Sequence, residues 1–134
     1  MLDKEQMVKD LKTALATADN ETALRLLRDM KPSVDITAPL LSGIMECAID
    51  SSNLNTIGLA REVLCNYKNA LVVKSNIQNI AMSYLIANDE WHYRRIAELY
   101  QFLDYKDELT EFLAICQGNS NLEIQKIADD FGCE

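Results

Sequence analysis

A small residue recurs inside leucine-rich segments: Ala23 in ALRLL, Ala60 in LAREVL, Ala97 in IAELY and Ala128 in IADDF. The successive spacings are 37, 37 and 31 residues. A polar turn precedes each alanine: Asp19-Asn20, Ser51-Ser52-Asn53, Asn88-Asp89 and Gly118-Asn119. Ahead of each turn lies another apolar segment. A helix–turn–helix at this period cannot bury its apolar face alone, so it must stack on its neighbours. The pattern predicts an all-α chain of about eight helices in four stacked hairpins, forming one domain over residues 1–134.

Composition agrees with helices. Hydrophobic residues make up 49% of the 134, and only four Gly and two Pro interrupt them. Alternating β-branched runs, which strands need, are missing. No apolar stretch reaches the roughly 18 residues of a membrane span. The opening MLDKEQMVKDLK is charged and amphipathic rather than a secretion signal, so a cytoplasmic location is expected. Cys47, Cys65, Cys116 and Cys133 form no CxxC or CxxH spacing. They are expected to be reduced and, apart from Cys133 in the tail, to act as small hydrophobes.

Helix by helix, the first is expected from about Asp3 to Thr17, with Met7, Val8, Leu11, Ala14, Leu15 and Ala18 on its buried face. The second buries Ala23, Leu24, Leu26 and Leu27. Residues 31–39, KPSVDITAP, hold both prolines and are expected to form an extended loop. Pro32 should end the second helix, and Pro39 suits the first turn of the third. The third helix covers about Leu40 to Ile49, and the fourth runs to about Tyr67 with Gly58 inside it. Glycine there costs about 1 kcal/mol against alanine, which close helix approach would offset. The fifth helix is expected near Lys74–Ala87, the sixth from Trp91 to about Phe102, and the seventh from near Asp104. A short eighth ends near Phe131. Stacking of this kind resembles α-solenoids such as HEAT or ankyrin arrays. The ankyrin motif TPLHxA and the ordered tetratricopeptide set are both absent.

Charge is distributed unequally. Residues 1–97 carry 12 acids and 11 bases, whereas residues 98–134 carry nine acids and two bases. Such a field repels nucleic acid and attracts a basic partner. Asp104, Asp107, Glu108 and Glu111 fall at offsets 0, 3, 4 and 7, as do Leu109, Phe112, Leu113 and Cys116. On one helix the two sets would point roughly 140° apart, one into the core and one outward. The outward carboxylates form a candidate docking stripe for Lys and Arg. Trp91, Tyr93 and Tyr105 are added to it, because aromatic residues crowd just before the stripe and are common interface anchors.

Catalytic patterns are lacking. There is no Gly-rich phosphate loop, no HExxH, no GxSxG and no paired Cys/His set. His92 is the single histidine and has no spaced partner. No enzymatic activity, cofactor or metal is expected.

In size, acidity and helix content the chain resembles the immunity proteins of bacterial toxin–immunity systems of the contact-dependent inhibition type. The resemblance implies a non-enzymatic inhibitor that covers the cationic cleft of a cognate toxin, such as a nuclease, with an acidic surface. Complementary charge would speed that capture. The alternative is a general helical-repeat adaptor that holds a peptide or helix in its groove.

Overall fold

The computed structural model describes residues 3–132. Among them are eight helices of nine residues or more, one single-turn helix and no strand, so the fold is all-α. None of these helices is long and apolar enough to cross a membrane. The chain divides into two compact units, one up to Ile80 and one from Ala81.

The N-terminal unit contains two paired hairpins. Helix α1 (Lys4–Leu15) packs on α2 (Asn20–Met30). The one-turn α3 (Val34–Thr37) runs through a 3-10 turn into α4 (Leu41–Ile49), which packs on α5 (Leu54–Cys65). Helix α5 also covers α2, and α1 touches α4, so the hairpins lie side by side. Asn53 starts α5 by accepting hydrogen bonds from the Asn55 and Thr56 N–H groups at 2.9 and 3.4 Å. Such a cap satisfies donors that a helix end leaves orphaned. Leu24, Leu27, Leu41, Ile44, Met45 and Leu64 fill the core, with Ala23 and Ala60 buried beside them.

Helix α6 (Leu71–Tyr84) crosses into the C-terminal unit. There α7 (Glu90–Leu103) packs on both α8 (Lys106–Gln117) and α9 (Leu122–Phe131), which also pack on each other. Asp89 caps α7 and Asn121 caps α9, accepting from Trp91 N at 2.8 Å and Glu123 N at 2.9 Å. Two turns of this unit are tied together where Asn119 Nδ2 donates to Asn88 Oδ1 at 2.7 Å. Two of the polar turns expected within the hairpins therefore supply caps, at Asn53 and Asp89; the cap of α9 is Asn121, just past the Gly118-Asn119 turn, and Asp19 makes no side-chain cap.

Several expectations need correction. Residues 31–39 are not an extended loop. Lys31 ends α2 in the left-handed region at φ 47°, and Pro32 then leads into α3. Tyr67 donates its hydroxyl to the Pro32 carbonyl, and Ile36, Thr37 and Leu40 are buried, so the segment belongs to the core. On α1 only Leu15 is fully buried, and Ala18 is exposed. Leu26 is exposed too, since it lines an open apolar cleft with Met7, Leu11, Met30 and Pro32.

Glycine roles differ from the expectation as well. A Cβ at Gly58 would meet nothing within 4 Å, so no close approach offsets its cost. The close approach is at Gly43, where a Cβ would lie 3.3 Å from both Cβ and Cδ1 of Leu15. Gly58→Ala should stabilise the protein by about 1 kcal/mol in urea denaturation. Gly43→Ala should gain clearly less. Equal gains would mean that α1 and α4 do not meet as described.

Candidate functional site

The four carboxylates of the expected stripe do not share one helix. Asp104 ends α7 in the left-handed region at φ 61°, its N–H donating to the Gln101 carbonyl at 3.1 Å. Helix α8 begins two residues later, so the offset from Asp104 has no geometric meaning. Asp107 and Glu108 stand in the first turn of α8, where the helix dipole favours negative charge. Asp107 and Glu111 are exposed, and Glu108 is half-buried.

The aromatic assignments divide. Trp91 is on the surface at 58% exposure, with the Arg95 guanidinium 5.7 Å from its ring. Tyr93 and Tyr105, at 4% and 5%, are core residues and present no side chain to a partner. Their rings join a cluster around Phe112. Tyr93 and Tyr100 each lie 5.9 Å from it, and Tyr105 lies 6.2 Å from Tyr100. Aromatic side chains at this spacing gain from edge and offset packing. Their density in the sequence reflects a core, with only Trp91 turned out.

Burial pushes the Tyr100 phenol up to about 12, and the neighbouring Glu108, Tyr105 and Glu111 add to the shift. The folded state therefore prefers the neutral phenol. Its stabilising contribution is complete below an unfolded tyrosine's value of about 10 and is lost as pH rises through the folded value. Stability should fall across that alkaline window, and Tyr100→Phe should flatten the fall. An unchanged profile in Tyr100→Phe would show that other groups cause it.

Local cations are largely committed. Arg94 pairs with Asp130 at 3.0 Å, Arg95 with Glu98 at 2.9 Å and Lys126 with Glu123 at 3.9 Å. Among the described residues, Asp104, Asp107, Glu111 and Asp129 make no ion pair. The charge imbalance follows the structural division. Up to Ile80 there are ten acids and nine bases, and from Ala81 there are eleven acids and four bases.

Beside the acids runs a feature the sequence reading missed. Leu109 and Leu113 are only half-covered and, with Ala114, Ala128 and Phe131, line an open groove of about 780 Å³ between α8 and α9. Lys106, Thr110, Gln117 and Asp129 supply its polar lining. Ala128, the recurring alanine of IADDF, is half-buried among these lining residues.

Other chemistry-bearing groups have structural surroundings. His92 packs edge-on to Tyr84 at 5.2 Å. Cys47 and Cys116 are buried free thiols, each pushed up to about 11 chiefly by that burial. Cys65 is half-buried and free, and Cys133 lies outside the described residues. Among the described residues no group of three or more His, Cys, Asp or Glu could hold a metal ion. Comparison of the chain with protein-family models, curated proteins and solved structures finds no match.

Proposed function

We propose that this protein is a non-enzymatic binding module whose C-terminal unit captures a basic protein, as the inhibitor half of a toxin–immunity pair. One observation carries the proposal. In a unit whose Arg94, Arg95 and Lys126 already hold acidic partners, Asp104, Asp107, Glu111 and Asp129 stay exposed without ion pairs. Asp107 and Glu111 stand four apart on α8, and like charges at that spacing cost a few tenths of a kcal/mol. Such an arrangement is suited to a partner that brings Lys and Arg. It would also raise the encounter rate, which matters for an inhibitor acting on a harmful target.

Asp107 and Glu111 are the central contacts, and Trp91 is an accessory anchor. The test is expression in bacteria of the product of the adjacent reading frame, with and without this chain. Growth arrest by that product and rescue by this chain are the expected results. A harmless neighbour, or arrest that this chain does not relieve, would overturn the immunity assignment.

A further inference from the structure

In the N-terminal unit an apolar surface is left open. Helices α1 and α2 border a cleft of about 240 Å³ lined by Met7, Leu11, Leu26, Leu27, Met30 and Pro32, with Asp10 as its one charged lining residue. Leu27 is buried beneath it, while Leu26 and Met30 are 47% and 62% exposed at its rim. That volume lies below the roughly 300 Å³ at which small-molecule pockets begin, so it suits side chains of another protein better. Methionine at two positions gives walls that adapt to an apolar side chain.

The charges beside this cleft are opposite and unanswered. Asp10, on α1, accepts from Gln6 Nε2 at 2.8 Å, a neutral donor that leaves the carboxylate charge in place. Lys31 ends α2 between the lining residues Met30 and Pro32 and is exposed. Neither makes an ion pair among the described residues, whereas Lys4, Arg25 and Arg28 hold Asp35, Glu21 and Asp29. Lys9 and Lys12 stand roughly 150° around α1 from the side that Met7, Asp10 and Leu11 share.

A surface that meets its own copy must offer both halves of every contact, because residue i then meets residue j and j meets i. This one does. It has a socket and a projecting Met30, an unpaired acid and an unpaired base. The unit around it is nearly neutral, with ten acids and nine bases. Two copies therefore meet there without the repulsion that eleven acids against four bases impose on the C-terminal unit. A strongly basic partner has no such reason to choose it.

We propose that the α1–α2 cleft is a two-fold interface between two copies of this chain. Leu26 and Met30 of each copy cover the cleft of the other, and Lys31 of each meets Asp10 of the other. This is independent of the basic partner assigned to the C-terminal unit.

Sedimentation velocity of the full chain over a concentration series is the test. A monomer–dimer equilibrium is expected, and Met30→Glu should weaken it at least roughly tenfold, as loss of an interface anchor does. Asp10→Lys alone and Lys31→Asp alone should each weaken it roughly tenfold, since each sets two like-charged pairs across the two-fold axis. An equimolar mixture of the Asp10→Lys and Lys31→Asp chains should dimerise about as well as the native chain, because both pairs are then opposite in charge. All three positions are exposed, and aspartate tolerates left-handed geometry better than lysine, so the variants keep the fold, which circular dichroism verifies.

A chain still monomeric at about 1 mM would give the cleft to another protein or an apolar ligand and overturn the proposal. A dimer that Met30→Glu leaves intact would place the contact elsewhere and overturn it too. A dimer indifferent to both charge variants, or weakened by them and not restored in the mixture, would overturn the pairing of Lys31 with Asp10 and the two-fold arrangement with it. The growth-rescue assay decides the immunity assignment separately.

Discussion

Phe112→Ala should destabilise the protein by about 4 kcal/mol, the range for removing a buried aromatic side chain. Phe112 lies on the α8 face that meets α7, and it contacts the rings of Tyr93 and Tyr100. Its loss would leave a cavity among side chains that have little room to collapse, because the Tyr93 hydroxyl is held near the tied turns by Asn88 and Asn119. Near-ultraviolet dichroism should lose much of its tyrosine signal. Phe102→Ala is the control: that ring is exposed on α7, and its removal should cost under about 1 kcal/mol. Urea denaturation of both variants decides the matter. Similar small losses in both would mean that the aromatic cluster is not the core of this unit.

Charge reversal at Asp107 and Glu111 should weaken capture of the proposed basic partner by roughly a hundredfold at low salt, with most of the loss in the association rate. The double variant Asp107→Lys/Glu111→Lys leaves Glu108 in place, since that residue is half-buried beside Tyr100 and its reversal would disturb packing as well as charge. Stability should fall by no more than about 1 kcal/mol, mainly through loss of the favourable dipole interaction at Asp107. Raising the ionic strength should weaken the native complex and leave the variant nearly unaffected, because screening acts only on the attraction that remains. Binding kinetics measured across a salt series test both statements. A salt-independent affinity that survives the double reversal would remove α8 from the interface.

Helix content and most core positions were legible because they follow from periodicity. Leu24, Leu27, Ile44, Ile57 and Leu64 are where a buried face requires them. Errors came where a residue's environment depends on a neighbour distant in sequence. Gly58 and Gly43 cannot be told apart until Leu15 is placed. Met7 and Leu11 have the spacing of a core face but lie at an edge that is only partly covered. Tyr93 and Tyr105 have polar ends that fit a surface as well as a core, and only the position of Phe112 decides for the core. The acidic stripe failed locally: a periodic count ran through Asp104 without seeing that the chain reverses there. Aspartate tolerates left-handed geometry better than most residues, and this was the available hint. The groove was not legible, since its lining comes from two separate helices, α8 and α9.

Left-handed backbone in this chain is assigned to the wrong residues for maximum stability. Among the described residues none of the glycines takes a positive φ, while Lys31, Asn88 and Asp104 do. Lysine has no side-chain bond to ease that geometry, at a cost on the order of 1 kcal/mol. Glycine at Lys31 would remove that strain without disturbing a core contact. The present sequence thus lies below the stability its own backbone permits, as is usual for chains selected to a threshold. That reserve is located at one exposed residue, the end of α2. A single change at the α2 terminus can therefore offset a destabilising change elsewhere in the N-terminal unit, such as one in the α4–α5 hairpin.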